Sequence, residues 1–332
     1  MTQPHDGAEP PGITESEALE SHERAQELQT QGRHAEALPF LERAADYFAS
    51  ADGPTSPDLA NVLTDWSESL MALCRYVEAE EKARRGKAIL DAIRDLLDPP
   101  TRGMMLPRAA GVWGRSLREL GRYPEAAVPL LEAVREAEQS RGPDAPELAG
   151  YLNEYGILCK YWGRYDEGEA YYRRGLRILE ARFGKQSIES ASLYHNLGGL
   201  EHARGDFARG EPLGRKAYEI RRRELGEFHE ATMADAVAWG GLLDGLGRFD
   251  ESVPIYRRAL EFYQRLFGPD HFEVAATLNN LGLALAAQGE TAEGRELLAR
   301  SLSIKRKLFS ADHPEVRLTE ANLQSLTVAG VL

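Results

Sequence analysis

Two groups of side chains in this 332-residue sequence have the types and spacing to do chemistry. His195 and His202 are seven residues apart, which places both on one face of a helix, where they could act as metal ligands or as general bases. The members of the second group are all basic: Arg108, Arg115, Arg118 and Lys160. Paired guanidinium groups on a rigid wall bind carboxylates through two parallel hydrogen bonds. The histidines therefore suggest catalysis or metal binding, and the basic group suggests recognition of an acidic ligand.

The rest of the sequence offers little support for catalysis. It contains no glycine-rich phosphate loop, no G-x-S-x-G and no H-E-x-x-H. Cys74 and Cys159 are too few for a disulfide scaffold or a four-cysteine zinc site. His229, His271 and His313 recur at intervals of 42 residues, and we interpret them as capping or turn residues. The sequence thus predicts no cofactor and no metal.

Charge and hydropathy exclude further classes of protein. The 40 Lys and Arg residues against 53 Asp and Glu leave a net charge of −13, which argues against a nucleic-acid-binding protein. No apolar stretch approaches the roughly 18 to 20 residues that cross a bilayer. The polar, proline-rich start MTQPHDGAEPPG does not resemble a signal peptide. We expect a soluble, cytoplasmic protein without a membrane partner.

The elements that position these residues come from an internal repeat. A short phrase such as GRYPEA recurs, and its copies begin at the turn positions 32, 74, 121, 163, 205, 247 and 289. Successive copies are 42 residues apart, except for 47 between the second and the third. We place this five-residue insertion within residues 96–107, where LLDPPTRGMMLP supplies turn residues.

Each copy of the repeat predicts two helices. A small residue stands seven positions before every turn: Ala25, Ser67, Gly114, Gly156, Gly198, Gly240 and Gly282. Small residues at fixed sites let crossing helices approach closely. Pro57, Pro146 and Pro314 each lie 17 residues before a turn position or its equivalent, which favours the first turn of a helix. Because strand alternation is absent, the predicted fold is all-α.

The pattern Gly-x-Tyr/Phe-x-Glu-Ala/Gly between the helices resembles the tetratricopeptide repeat. The 42-residue period, with TLNNLGLALAAQGE (277–290) and LEFYQRLFGPDHFEVA (260–275), resembles the kinesin-light-chain-like subfamily. The resemblance covers roughly residues 15–332 and implies a right-handed α-solenoid, or superhelix, of seven helix pairs. We expect residues 1–13 to form a disordered tail and residues 14–332 a single array, closed by a capping helix at about 315–328.

The resemblance also implies a concave groove, lined by first-helix residues ten, six and three before each turn. The groove residues identified in this way, with Arg108 one helical turn earlier, are Arg108, Arg115, Arg118, Asn153, Lys160, His195, His202 and Asn279. Glycine at 111, 199 and 241 would leave space for a ligand, and the amides of Asn153 and Asn279 could hold a peptide backbone.

Two structural roles are alternatives to ligand binding for the groove residues. Arg115 and Arg118 could be neutralised by Asp65 and Glu68 of the preceding copy. Asparagines could instead bond helix to helix, which we expect for Asn196 and Asn280. The recurring basic pairs of the second helices, such as Arg173-Arg174 and Arg257-Arg258, are expected to pair with acids of adjacent copies or to face water.

The function implied by the resemblance is that of a non-enzymatic scaffold or adaptor that binds a peptide segment of a protein partner. The basic groove residues predict a locally acidic or C-terminal carboxylate motif. One alternative is a peptide-sensing regulatory protein that controls a transcription factor or a protease. Another is an enzyme, or an enzyme subunit, that uses the groove histidines. The apolar end TVAGVL is weak support for a dimer, and we expect a monomer.

Overall fold

The computed structural model describes residues 12–51 and 53–329, and within these ranges the regular elements are fifteen α-helices and one short 3-10 turn, without strands. The helices are α1 (Glu15–Thr30), α2 (His34–Ala51), α3 (Pro57–Ala72), α4 (Tyr76–Ala92), α5 (Pro99–Glu119), α6 (Tyr123–Arg141), α7 (Leu148–Trp162), α8 (Tyr165–Phe183), α9 (Ile188–Arg204), α10 (Phe207–Leu225), α11 (Glu230–Gly245), α12 (Phe249–Phe267), α13 (Phe272–Ala287), α14 (Thr291–Leu308) and α15 (Pro314–Ala329). The predicted all-α solenoid class is confirmed. Of the predicted tail, residues 1–11 lie outside the described residues, as does the chain end at 330–332.

The helices form seven pairs, from α1–α2 to α13–α14, and α15 follows where the capping helix was predicted. All seven predicted turns lie between the two helices of a pair. Six of them have glycine with φ between +71° and +94°, the left-handed region that glycine adopts without strain. In the second pair Cys74 takes the same conformation, with φ +58°. Its turn keeps the usual bond, in which Arg75 N donates to Leu70 O at 2.9 Å.

The insertion corrects one expectation, because most of residues 96–107 are helical. Helix α5 begins at Pro99 and has 21 residues, against 16 in α3. The Asp98 side chain caps it by accepting from Thr101 N at 3.0 Å. Pro99 and Pro100 occupy first-turn positions, where a missing N–H costs nothing. The extra residues therefore lengthen a helix and not a loop.

The predicted proline starts are found at two of three sites. Pro57 and Pro314 are the first residues of α3 and α15. Pro146 instead precedes α7, in a tight turn where Leu148 N donates to Ala145 O at 3.0 Å.

Small residues permit close helix approach, as predicted. A Cβ at Gly156 would lie 2.5 Å from the ring of Tyr172, inside its van der Waals surface. In the second pair Ser67 uses its hydroxyl as well, donating to Ala79 O at 2.8 Å. The small residues thus fix the contact between the helices of a pair.

The chain divides into two compact units, and the boundary falls within α8 after Ile178. The first unit has a core that includes Leu59, Leu63 and Leu106, and the core of the second includes Tyr263 and Leu278.

Each unit contains a tryptophan that lies eight residues before a turn. The indole N–H of this tryptophan donates to a glutamate of the preceding copy. Trp113 Nε1 donates to Glu80 Oε1 at 3.0 Å, and Trp239 Nε1 donates to Glu211 Oε1 at 3.1 Å. The Trp239 ring also stacks on Tyr218, with 5.6 Å between ring centroids. These bonds repeat one inter-copy contact in both units.

Candidate functional site

Two of the predicted groove arginines lie on α5 against carboxylates of α3. Arg108 Nη2 donates to both Asp65 and Glu68, and its Nη1 donates to Asn61 Oδ1 at 3.1 Å. Arg115 Nη2 donates to Glu68 Oε1 at 2.5 Å. The alternative of neutralisation by the preceding copy is therefore found for Arg115, and Arg108 shares the same acids.

Asp65 is the buried centre of this network, with only 2% of its surface exposed. His22 Nε2 lies 2.6 Å from its Oδ2, and Gln26 Nε2 donates to the same oxygen at 2.8 Å. Burial by itself raises the pKa of Asp65, but the hydrogen bond from His22 and the charge of Arg108 outweigh it and hold that pKa below its ordinary value of 3.8. Asp65 is thus an ionised anchor for Arg108.

Arg118 has different partners from those we expected. It donates to Glu154 Oε2 at 2.7 Å and to Glu119 Oε1 at 2.8 Å, so its acids come from α7 and from its own helix, and not from Asp65 or Glu68. The physical reason is position, because a residue near the end of α5 lies beside α7 and beyond the reach of the α3 acids.

Lys160 is the neighbouring cation on α7. Burial of the side chain, together with the nearby charge of Arg118, lowers the pKa of Lys160. Its ammonium lies 5.1 Å from the centroid of the Tyr161 ring. Within the part of the chain that the structure describes, no carboxylate forms an ion pair with Lys160. A carboxylate brought by a ligand would find this cation available.

A cavity of about 340 Å³ opens beside Arg115. Its lining comprises Arg108, Gly111, Val112, Arg115, Arg141, Glu147, Gly150, Tyr151 and Glu154. Arg141 is held only loosely, with its Nη1 3.6 Å from Glu147 Oε1. A Cβ at Gly150 would meet nothing within 4 Å, so the cavity is open there. Three arginines and two glutamates thus line the open space, and the loosely held Arg141 is the cation that an anionic group of a ligand could bind.

Sequence reasoning missed Arg141 and Tyr151 as part of this site. Arg141 ends a second helix, and Tyr151 lies 12 residues before its turn, so neither occupies one of the three periodic groove positions. The available signal was Gly111, a groove position without a side chain, which does lie in the cavity wall.

The two predicted histidines have separate environments in the second unit. His195 Nδ1 lies 2.7 Å from Oδ1 of Asp235, a fully buried residue that also accepts from Arg221 Nη1 at 2.6 Å. The ring of His202 packs edge-on against Phe207, with centroids 5.3 Å apart. No group of three or more His, Cys, Asp or Glu side chains among the described residues is placed to hold a metal ion.

The predicted asparagines also differ from each other. Asn279 is buried, accepts from Asn322 Nδ2 at 3.0 Å and donates to Asn280 Oδ1 at 3.3 Å. Asn279 therefore makes a helix-to-helix amide contact with α15. Asn153 is half-buried on α7 in the first unit.

Of two predictions about recurring polar residues, the one for the histidines is confirmed and the one for the basic pairs is confirmed in part. The Nδ1 atoms of His229, His271 and His313 each accept a bond from the backbone N–H two residues later, at 3.2 Å. These histidines therefore cap or precede helices. Among the basic pairs of the second helices, Arg174 binds Glu138 of the adjacent copy at 2.7 Å. Arg173, beside it, instead pairs with Glu169 of its own helix at 2.8 Å.

Comparison with known proteins identifies the repeat. A sequence profile of the tetratricopeptide repeat matches residues 106–181, 233–307 and 273–323, and a second profile of the same repeat matches residues 190–231. No curated protein gives a significant sequence match. In the described residues, no helix has the length and apolar character needed to cross a bilayer.

Solved structures share the fold at low sequence identity. BtubC (BKLC) from P. vanneervenii is 23% identical with a TM-score of 0.56, over 73% of this chain and 92% of that one. A candidate kinesin light chain from Podosopora anserina, with nearly identical TPR-like repeats, is 18% identical with a TM-score of 0.54, over 62% and 98%. A Rap protein complexed with Competence and Sporulation Factor is 11% identical with a TM-score of 0.60, over 94% and 88%.

Proposed function

Because the chain belongs to the tetratricopeptide repeat family, we propose that it is a non-enzymatic, cytoplasmic interaction module that binds a peptide segment of a protein partner. A fold does not by itself define a function, so the function of this chain must be argued from a site. The Rap neighbour was solved in complex with a factor, which shows that such a fold can hold a ligand. For this chain, the α5–α7 cavity supports the proposal.

The single observation that carries the proposal is the open cavity beside Arg115, which three arginines and two glutamates line and in which Arg141 is only loosely paired. We assign it the carboxylate of an acidic side chain or of a C-terminus. In the described ranges, the ion pair of Arg141 is the 3.6 Å contact with Glu147, so its guanidinium can turn toward a ligand. The Tyr151 hydroxyl can donate a hydrogen bond to the same ligand. Arg108 shares Glu68 with Arg115 and so holds that acid in place.

Lys160 and Arg118 extend this surface along the first helices. Lys160 is a cation that forms no ion pair with a carboxylate of the described residues. Arg118 remains paired with Glu119 of α5 and Glu154 of α7. Asn153, on α7, is proposed to hold the ligand backbone, since an amide both donates and accepts.

The equivalent positions of the second unit carry His195, His202 and Asn279. We propose them as weaker ligand contacts, because His195 and Asn279 already bond to Asp235 and Asn322.

The test begins with capture of the partner from source cells, identification by mass spectrometry and reduction to a short binding peptide. Arg115→Ala and Lys160→Ala should each weaken binding of that peptide at least tenfold, because desolvated ion pairs cost roughly 2 to 5 kcal/mol on truncation and about 1.4 kcal/mol is tenfold. Arg173→Ala is the matched control, since Arg173 pairs with Glu169 at 2.8 Å on α8 and does not line the cavity. Lower melting temperature with unchanged affinity in Arg115→Ala would make this arginine a structural residue and contradict the assignment.

A second candidate is a peptide-sensing regulator, favoured by the fold shared with the Rap protein over 94% of this chain. Hydrogen exchange with the bound peptide separates the two. Protection confined to α5 and α7 supports a scaffold, and protection that spreads into the helices of both units supports a regulator.

A further inference from the structure

A larger cavity lies on the second helices of the third and fourth copies, away from the first helices that carry the proposed ligand site. It measures about 710 Å³ and is lined by Val128, Leu131, Val134, Arg135, Glu138, Ala170, Tyr171, Arg174 and Arg177. We call these residues the α6–α8 surface. All of them belong to the first unit.

The α6–α8 surface departs from the repeat at two positions. Arg135 and Arg177 both lie 14 residues after a turn position, where the other copies have Asp46, Ala88, Glu219, Glu261 and Ser303. Val128 lies seven residues after its turn, where other copies have Pro39, Glu81, Pro212, Pro254 and Glu296. The other copies form the same helix pairs with those different residues. The packing of the repeat therefore does not require two arginines and a valine at these positions.

Burial and charge show what the surface offers. Val128 is 64% exposed, while Leu131 and Tyr171 form a half-buried apolar floor. Arg174 is paired with Glu138 at 2.7 Å. Arg135 and Arg177 are exposed and form no ion pair with any carboxylate in the described ranges. The surface is thus an apolar strip flanked by two available cations, on a chain whose net charge is −13.

The spacing of the lining matches a helical ligand. Val128, Leu131, Arg135 and Glu138 follow each other along one face of α6, over ten residues or about 15 Å. Such a strip between two helices accepts the apolar face of a third helix over roughly three turns.

We propose that the α6–α8 surface is a second interaction site, which binds an amphipathic helix of a protein partner whose apolar face is flanked by carboxylates. The charges select the partner, because no carboxylate among the described residues forms an ion pair with Arg135 or Arg177, and arginine binds carboxylates well. The proposal does not depend on the groove function, since the two sites share no residue.

The probe is a fluorescent synthetic helix of about 16 residues, with leucines on one face and glutamates on both flanks. Its affinity is measured by fluorescence anisotropy against the full chain. The double variant Arg135→Glu and Arg177→Glu should raise the Kd at least tenfold, since repulsion replaces two ion pairs. Arg173→Glu is the control, because Arg173 lies on α8 with Arg177 but does not line the surface. This variant should change the Kd less than about twofold. Arg115→Ala should leave this Kd unchanged, which separates the proposal from the groove assignment.

Several results would overturn the proposal. One is the absence of binding by the acidic helix, and another is equal binding by a helix with lysines in place of the glutamates. A third is light scattering that gives twice 36.8 kDa for the free chain but not for Val128→Asp, because a second copy would then cover the surface. A fourth is capture by anionic lipid vesicles that is lost in the double variant while the helix does not bind.

Discussion

At the scale of single residues, Asp65 shows how a buried charge can hold in place the side chains of the proposed ligand site. It receives bonds from His22 and Gln26 of α1 and from Arg108 of α5. One carboxylate thereby connects the first helices of three consecutive copies. Arg108 and Glu68 are held in place by it, and through Glu68 so is Arg115.

Asp65→Asn should destabilise the first unit by about 3 kcal/mol near neutral pH, because it leaves buried donors facing a neutral amide. The folded pKa of Asp65 lies below its unfolded value of about 3.8, so its stabilisation is present above that value and is lost as the pH falls through the folded pKa. The difference in melting temperature between wild type and variant, followed by circular dichroism, should therefore shrink as the pH falls below about 4. Glu36→Gln, at an exposed pair with Arg33, is the control. A difference that does not vary with pH would contradict this account.

The two cysteines should react differently with iodoacetamide at about pH 8. Cys74 is exposed, whereas Cys159 is fully buried, and burial together with the charge of Glu167 raises the pKa of Cys159 to about 12. Mass spectrometry should find one adduct, at Cys74, in the native chain and two after denaturation in urea. Native modification of Cys159 would show that the first unit opens readily.

At the scale of elements, the turn at Cys74 should be improvable. An L-residue in the left-handed region costs roughly 1 to 2 kcal/mol, and glycine avoids this at a smaller entropic cost. Cys74→Gly should thus raise stability by about 0.5 to 1 kcal/mol, and Gly121→Ala, at φ +71° in the next copy, should lower it by about 1 kcal/mol. Thermal melts of both variants test the pair. Loss of stability in Cys74→Gly would mean that the thiol makes a stabilising contact in the turn.

The sequence predicts elements better than it predicts the partners of side chains. The 42-residue step locates all seven turns, because each copy solves the same packing problem with small residues at the same sites. The lengthening of α5 depends on Asp98 and the two prolines after it. In the sequence, these three residues are as typical of a turn as of a helix start. The acids that bind Arg118 depend on which neighbouring helix its side chain reaches, and periodicity alone does not specify that. Arg141 was missed for a similar reason, since a second-helix terminus lies outside the periodic groove positions.

At the scale of the whole molecule, a net charge of −13 opposes the encounter with an acidic ligand while the local cations favour the bound state. Raising the ionic strength from about 20 to 200 mM should increase the association rate of an acidic groove peptide, because it screens the long-range repulsion. The same change should increase the dissociation rate, since it weakens the ion pairs. Stopped-flow fluorescence measures both rates. A fall in the association rate would indicate that a local basic field, and not the net charge, steers the ligand.

The tryptophans have an optical consequence. The chain has four, and only Trp239 follows the boundary at Ile178. Its indole donates to Glu211 and stacks on Tyr218, so its emission spectrum responds to the packing of α10 against α11. Replacing the other three with phenylalanine would leave Trp239 as the single tryptophan, so that tryptophan emission would report on the second unit alone. Its emission could then be recorded while the first unit is titrated with peptide, without any attached dye.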